Sequence, residues 1–144
     1  MKQKRILVAD DDPSILKLIL AIIKREGYEG LSVTNGREAV QMLGREKFDL
    51  VICDQTMPHL TGAEVADWMR QTEKNFDTPF ILLTAEQNPT LFSRLLSQSD
   101  IDSYLPKPIS FAQITAHLKM MLNSRIARPR PESEFAVGER ESEI

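Results

Sequence analysis

The stretch RILVADDDPS, residues 5–14, passes directly from a short apolar segment into three consecutive aspartates and a proline. Its apolar part predicts a buried strand, while Asp12 at an N-cap position and Pro13 at a first helical position predict a helix that begins at once. Two carboxylates about 5 Å apart repel each other by about 1 kcal/mol in water and by about 3 kcal/mol at an effective dielectric constant of about 20. The crowding of Asp10 and Asp11 at the strand end therefore predicts a nearby positive charge that offsets this repulsion.

Apolar runs alternate with segments of helical period five times along the chain. The apolar runs are RILVAD, EGLSV, DLVICD, PFILLTA and SYL, and the helical segments span residues 13–26, 36–45, 62–72, 89–98 and 110–124. Continuous rather than alternating hydrophobicity in DLVICD and FILLT favours strands that are covered on both faces, as in a parallel sheet. The pattern predicts an α/β fold of the (βα)5 type, a doubly wound parallel five-stranded sheet.

Length and composition limit the classes of protein to which the chain can belong. Its 144 residues suit one ordinary domain, and 42% hydrophobic with 27% charged residues is the balance of a soluble globular protein. The 18 basic and 21 acidic residues give a net charge of -3. Since this charge provides no positive field, we expect no direct binding to nucleic acid.

After residue 124 the sequence RIARPRPESEFAVGERESEI has no helical or strand period, which predicts a domain at residues 1–124 and a polar tail or linker, rich in proline and charge, at residues 125–144.

The first residues of the sequence, its single cysteine and its apolar stretches predict the compartment. Cys53 cannot form an internal disulfide, and MKQKR is followed by a strand rather than by the apolar stretch of a signal peptide. The apolar stretch ILKLILAII is far shorter than the ~20 residues that span a bilayer. We expect a cytoplasmic protein without a membrane partner.

Chemically active side chains follow the ends of the predicted strands. Asp10 and Asp11 end the first strand, Asp54 the third and Thr84 the fourth, and Lys107 follows the fifth. In an open α/β sheet, ligands bind outside the carboxyl ends of the strands, so these groups are expected to share one edge. Hard carboxylate oxygens suit Mg²⁺, and a carboxylate beside a divalent cation, a lysine and a hydroxyl can act as a nucleophile toward a phosphoryl group. The expected product is an acyl phosphate on an aspartate.

These residues resemble the response-regulator receiver domain of bacterial two-component and phosphorelay systems. The resemblance covers about residues 4–123 and rests on VADD, DLVICDQTMPHLTG, ILLTAE and YLPKP, in this order and at fitting spacings. It implies a flavodoxin-like strand order of 2-1-3-4-5 and a phosphorylation-dependent signalling protein rather than an enzyme. It also implies a sensor histidine kinase or histidine phosphotransfer protein as phosphodonor, and a downstream protein target or an output domain outside this sequence.

The resemblance implies a role for each site residue. Asp54 would be the phosphoacceptor and also a ligand of Mg²⁺. Asp10 and Asp11 would hold the ion directly or through water, and the main-chain carbonyl of Thr56 would be a further ligand.

Three further residues would act on the phosphoryl group or respond to it. Lys107 would pair with the phosphoryl oxygens, and the peptide bond between Lys107 and Pro108 is expected to be cis, which is inexpensive only before proline. Thr84 and Tyr104 would form the switch pair, the hydroxyl turning toward the phosphoryl group while the ring moves inward.

Two other functions compete with this interpretation. A haloacid-dehalogenase-type phosphohydrolase would read DDDPS as its nucleophile motif, with Asp10 attacking and with Thr84 and Lys107 assisting. That reading leaves Asp54 without a role and needs an acidic pair after a later strand, whereas no strand follows SYL. A pure interaction module would keep the fold and lose the chemistry, which the presence of every expected site residue argues against.

The first predicted helix has a wide apolar arc of roughly 200° at 100° per residue, whereas a surface helix needs somewhat more than 100°. This arc consists of Ile15, Leu16, Leu18, Ile19, Leu20, Ile22 and Ile23. In receivers this helix contacts the histidine-bearing bundle of the phosphodonor, so the surplus predicts either a docking surface or unusually deep burial.

Overall fold

The computed structural model describes residues 3–97, 100–123 and 128, in which strands and helices alternate from the first strand to the last helix. The strands are β1 (Arg5–Ala9), β2 (Glu29–Val33), β3 (Leu50–Asp54), β4 (Phe80–Thr84) and β5 (Ser103–Pro106). The helices are α1 (Pro13–Arg25), α2 (Gly36–Arg45), α3 (Gly62–Met69), α4 (Pro89–Leu96) and α5 (Phe111–Asn123). Of the helices in this part of the chain, none combines the length and the hydrophobicity needed to cross a membrane. Apart from Arg128, the predicted tail at residues 125–144 lies outside the described residues.

The sheet is parallel throughout, and its strand order is β2-β1-β3-β4-β5. Every residue of β3 and β4 is buried, because helices cover both faces of the sheet at its centre. The edge strands β2 and β5 carry half-buried or exposed residues. The predicted doubly wound parallel sheet and its strand order are confirmed.

Two apolar clusters lie on opposite faces of the sheet. Ile6 and Val8 of β1 point into the cluster with α1 and α5, whereas Leu7 and Ala9 point into the cluster with α2 and α3. This alternation is the period of two that a strand imposes on its side chains. Cys53 belongs to the second cluster and is fully buried, so it serves packing.

The ends of α1 follow the sequence signals. Asp12 has an extended backbone, and its carboxylate accepts a hydrogen bond of 2.9 Å from the Ser14 N–H, which confirms its role as N-cap. Gly27 follows the helix with φ of 89°, a left-handed conformation that glycine adopts without a steric penalty. Helix α3 is shorter than predicted and ends at Met69 rather than at residue 72. Beyond Met69 the chain continues in tighter turns, in which the Gln71 N–H donates to the Trp68 carbonyl at 3.1 Å and the Thr72 N–H to the Met69 carbonyl at 3.0 Å.

The wide apolar arc of α1 is largely accounted for by burial. Its buried members are Leu16, Ile19, Ile22 and Ile23, and Ile15 and Leu20 pack partly against the same cluster. Leu18 is the member that stays exposed, at 39% of its surface. Deep burial therefore explains most of the apolar arc, and the docking hypothesis depends on Leu18, its exposed member.

Candidate functional site

The carboxyl ends of the strands bring the predicted acidic residues together. Asp10 follows β1 directly and Asp54 ends β3, and these two strands are neighbours in register at Ala9 and Cys53. Carboxylate oxygens of Asp10, Asp11 and Asp54 all lie within 4.8 Å of one another. We call these three residues the acidic cluster.

Lys107 supplies one positive charge to the acidic cluster. Its ammonium donates to Asp10 Oδ2 at 3.1 Å and lies 3.1 Å from Asp54 Oδ1. The peptide bond between Lys107 and Pro108 is cis, as expected. Because one ammonium faces three carboxylates, the cluster keeps an excess of negative charge.

Burial separates the members of the acidic cluster. Asp10 is fully buried and Asp54 is 4% exposed, whereas Asp11 is exposed. The Asp12 N–H donates to Asp10 Oδ1 at 2.9 Å, while Lys107 occupies the other oxygen. Asp10 is thus held on both oxygens, and Asp11 faces the solvent.

The environment shifts the pKa values of two groups at the site. Burial raises the pKa of the Asp54 carboxyl, and the charge of Asp10 adds to this effect, while Lys107 and the Thr56 N–H act in the opposite direction. Burial alone would lower the pKa of Lys107, but hydrogen bonds and charges from Asp10 and Asp54 outweigh it and raise that pKa. At neutral pH Lys107 is therefore an ammonium, and a further positive charge would favour the ionised form of Asp54.

The loop after β3 adds backbone groups to the site. The Thr56 N–H lies near the Asp54 carboxylate and acts to lower its pKa, and the Thr56 side chain is exposed. The predicted role of the Thr56 carbonyl as a metal ligand stays a prediction. Sequence reasoning missed Gln55, whose side-chain oxygen accepts a hydrogen bond of 2.9 Å from the Ala63 N–H and closes the loop. A lone glutamine in a loop gives no signal for such a contact.

Thr84 lies at the same edge, at the end of β4, and is 3% exposed. Its hydroxyl accepts a hydrogen bond of 3.0 Å from the Glu86 N–H, and its carbonyl accepts one of 2.9 Å from the Lys107 N–H. Thr84, Gln55 and Leu91 are among the residues that line a cleft of about 380 Å³ between the loop after β3 and α4. Thr84 therefore lies between the carboxyl edge of the sheet and α4.

Tyr104 of β5 points inward. Its ring packs against the apolar cluster of α2 and α3, its hydroxyl is buried, and this burial raises its pKa. The residue is only partly buried, so the ring can still move inward in the way that the sequence interpretation predicts. The coupling between Thr84 and Tyr104 stays a prediction.

The donor set of the acidic cluster fits a hard divalent cation. Its three ligands are carboxylate oxygens, and Mg²⁺ favours such oxygens while it keeps several waters. The exposed position of Asp11 leaves one side of the cluster open to water and to a phosphoryl group. Asp10, Asp11 and Asp54 therefore fit the ion that the sequence predicts.

Comparisons with known proteins agree with this geometry. The family model of the response regulator receiver domain matches residues 6–119. The alkaline phosphatase synthesis transcriptional regulatory protein PhoP of Bacillus subtilis strain 168 is 36% identical over 143 residues, which cover 98% of this chain and 57% of PhoP. The sensor protein GacS of Pseudomonas syringae pv. syringae is 33% identical over 133 residues, which cover 90% of this chain and 15% of GacS. The chain thus spans only part of the length of these relatives.

Among solved structures, the receiver domain of the sensor histidine kinase PA1611 from Pseudomonas aeruginosa PAO1 is similar to this chain. The TM-score is 0.76 at 27% sequence identity, and the match covers 85% of this chain and all of that domain. A magnesium ion is coordinated in the active site cleft of the PA1611 domain. The strand order, the acidic cluster and the extent of the family match lead to one conclusion: this chain belongs to the response regulator receiver domain family.

Proposed function

We propose that this receiver domain accepts a phosphoryl group on Asp54 from a sensor histidine kinase or a histidine phosphotransfer protein, and that it then switches a protein-interaction surface. The observation that carries the proposal is the meeting of the three carboxylates of the acidic cluster with the ammonium of Lys107. This arrangement combines a nucleophile, metal ligands and a cation for the phosphoryl oxygens in one place.

Asp10, Asp11, Asp54 and the main-chain carbonyl of Thr56 would hold Mg²⁺. When it is bound, the ion supplies positive charge to the oxygens of the transferring group. The same charge offsets the repulsion within the acidic cluster, so a single cation serves both stability and reaction. The magnesium ion of the PA1611 receiver domain supports this assignment.

The residues of this chain have distinct tasks in the transfer. An oxygen of Asp54 attacks the phosphorus of the phosphohistidine, the P–N bond breaks, and the imidazole leaves as the acyl phosphate forms. Lys107, already 3.1 Å from Asp54 Oδ1, pairs with a phosphoryl oxygen. Asp10 keeps Lys107 oriented, because it accepts a hydrogen bond from the same ammonium.

The switch would start at Thr84. If its hydroxyl turns toward the phosphoryl group, it gives up the hydrogen bond from the Glu86 N–H, which now fixes the first turn of the loop after β4. The loop and α4 are then less constrained, and Tyr104 fills the space behind Thr84. Added charge at Asp54 thereby biases a two-state element at the face of α4, β5 and α5.

We further propose how the domain is connected and where it works. Residues 1–124 form the receiver domain, and residues 125–144 form a tail or linker. The signal passes to a downstream protein target or to an output domain, and the protein acts in the cytoplasm. The partial coverage of PhoP and GacS supports a receiver that also occurs within longer proteins.

Leu18 supports docking of the phosphodonor on α1. It is an exposed leucine beside a buried apolar face, and Leu18→Lys should slow phosphotransfer from the partner protein without slowing phosphorylation by acetyl phosphate. Met120→Lys is the matched control, because Met120 is also an exposed apolar residue but lies on α5. Equal slowing with both phosphodonors would contradict the docking role.

Mass spectrometry after incubation with Mg²⁺ and acetyl phosphate tests the central proposal. We expect a single phosphoryl adduct that Asp54→Asn abolishes and that Asp12→Asn retains, because Asn is an equally good N-cap. An adduct that survives Asp54→Asn but is lost when Asp10 is changed would favour the phosphohydrolase instead. A wild-type protein that binds Mg²⁺ and forms no adduct would favour a pure interaction module.

A further inference from the structure

The loop between β3 and α3, residues 55–61, rests on the first residue of α2. The Gly36 N–H donates to the Pro58 carbonyl at 3.2 Å, and Gly36 is buried. The first N–H groups of a helix have no acceptor within the helix, and here the loop provides one. The middle of the loop is thereby attached to a rigid element rather than left to the solvent.

Gly36 has no room for a side chain. A Cβ at this position would lie 2.5 Å from the Leu60 Cβ, 2.6 Å from the Leu60 carbonyl oxygen and 3.0 Å from the Leu60 Cα. Two of these atoms belong to the backbone and cannot rotate away, so the loop itself would have to move. The close approach of Leu60 is the reason for glycine here.

The same loop carries the backbone that contacts the phosphoacceptor. The Thr56 N–H lies close enough to the Asp54 carboxylate to lower the pKa of that group, and the Gln55 N–H donates to the Leu83 carbonyl at 2.9 Å. At the other end, the Gly62 N–H donates to the Gln55 carbonyl at 3.0 Å. Because both ends are fixed, a displacement in the middle of the loop must be absorbed by the few residues that include Thr56.

The middle of the loop is held in an unfavourable backbone conformation. His59, between Pro58 and Leu60, has φ of 75°, in the left-handed region that costs a non-glycine residue energy. Such a conformation persists only where the surroundings fix it. The contact between Gly36 and Leu60 is one of the contacts that fix it.

We propose that Gly36 is a positioning residue for phosphoryl transfer, an inference that rests on the proposed function of Asp54. Glycine lets the backbone of Leu60 close onto the start of α2, and this contact sets the position of Thr56 relative to Asp54. A side chain at position 36 weakens Mg²⁺ binding and phosphorylation although residue 36 touches neither the ion nor the substrate.

Gly36→Ala tests the proposal, with Gly44→Ala as the matched control in the same helix. A Cβ on Gly44 would meet only the ring of Trp68, at 3.3 Å, and that ring can move because it is partly exposed. Isothermal titration with MgCl₂ gives the Mg²⁺ affinity, and denaturant unfolding in EDTA gives the stability without metal. We expect Gly36→Ala to bind Mg²⁺ about tenfold more weakly, as for other residues that orient metal ligands. Gly44→Ala should match the wild type.

The outcomes separate this inference from the proposed function. If the wild type binds no Mg²⁺ and accepts no phosphoryl group, the proposed function is wrong. If the wild type does both and Gly36→Ala binds Mg²⁺ with unchanged affinity, only the positioning role is wrong. Should Gly36→Ala fail to fold, Leu60→Ala decides, because it shortens the side chain that anchors the same contact in the apolar cluster. It should weaken Mg²⁺ binding in the same direction, and an unchanged affinity would overturn the inference.

Discussion

The two ends of the parallel sheet bury polar side chains in opposite ways. At the carboxyl end, the buried carboxylates of Asp10 and Asp54 share the ammonium of Lys107, and the exposed Asp11 adds a third negative charge to the cluster. At the amino end, Asn75 is fully buried as well, but every polar atom of its side chain has a partner. The acidic cluster at the carboxyl end thus carries an excess of negative charge, whereas the Asn75 side chain at the amino end has all its hydrogen-bond partners.

Asn75 joins the elements that precede two central strands. Its amide nitrogen donates to the carbonyls of Leu43 and Glu46 at 2.6 and 2.7 Å. Its oxygen accepts from the Phe48 N–H and from the Thr78 hydroxyl, both at 2.9 Å. The end of α2 is therefore tied to the starts of β3 and β4 through one side chain.

Asp102, which precedes β5, likewise ties the start of its strand to neighbouring elements. Its carboxylate accepts a hydrogen bond of 2.8 Å from the Phe80 N–H and pairs with Arg70 at 3.0 Å, and Arg128 pairs with its other oxygen. The comparison teaches that this protein satisfies buried polar groups where they only stabilise the fold. It leaves them short of positive charge where a cation and a phosphoryl group must enter. Mutations at the amino end should therefore change the stability of the fold without changing Mg²⁺ binding. Mutations that remove a carboxylate at the carboxyl end should raise stability and weaken Mg²⁺ binding.

The largest effect is expected from Asp102→Ala. The change leaves the nearly buried guanidinium of Arg70 without its carboxylate, and breaking such a pair costs about 3 to 5 kcal/mol. Urea unfolding in EDTA measures the loss, and the Mg²⁺ affinity of the folded protein should not change. Asp77→Ala is the control, because the pair of Asp77 with Lys47 is exposed and should contribute about 0 to 1 kcal/mol. Equal losses in the two variants would remove the contrast between buried and exposed pairs.

Asn75→Ala should destabilise the protein by about 3 kcal/mol, because it leaves buried backbone groups without partners. The same unfolding experiment measures this loss, with the exposed Asn123→Ala as control. Phosphorylation by acetyl phosphate should proceed at the wild-type rate below the unfolding transition. A slower rate at full folding would mean that the amino end also serves the site.

Unlike the two preceding substitutions, Asp54→Asn should stabilise the protein. It should raise the free energy of unfolding in EDTA by about 1 to 2 kcal/mol, because it removes one charge from the acidic cluster. Since the folded state raises the pKa of Asp54 above its ordinary value of 3.8, the ionised carboxyl opposes folding at neutral pH. Stability from this group is present in acid and is lost as the pH rises through the folded pKa. The gain from Asp54→Asn should therefore shrink in acid, where Asp54 is already protonated, and a gain independent of pH would contradict this explanation.

The carboxyl end of the sheet was largely predictable from the sequence. A strand of continuous hydrophobicity ends at a definite residue, and parallel pairing brings all such ends to one edge, so Asp10, Asp54, Thr84 and Lys107 could be assigned before any contact was known. The helix signals at Asp12 and its neighbours were equally local. Their information lies within a few residues of the feature that they predict.

The amino end was not predictable in this way. Asn75 bonds to backbone groups 27 to 32 residues away, and a backbone carbonyl or N–H leaves no trace in the sequence. The same holds for Asp102 with Phe80, and for Gly36, whose need for glycine comes from the approach of Leu60. Only the folded chain reveals which remote backbone groups require a partner or leave no room for a side chain.

The smallest effect, and the one that joins stability to function, is expected from Mg²⁺ itself. At a free concentration of three times its dissociation constant, the ion should stabilise the wild type by about 0.8 kcal/mol, measured as a rise in the melting temperature. Asp11→Asn should be more stable than the wild type in EDTA and gain less from Mg²⁺, because it removes a repelling charge and a ligand together. Asp12→Asn, a change of the same kind on the adjacent N-cap, should respond to Mg²⁺ like the wild type. If millimolar Mg²⁺ leaves the wild-type melting temperature unchanged, the crowding of aspartates after β1 needs an explanation other than a missing cation.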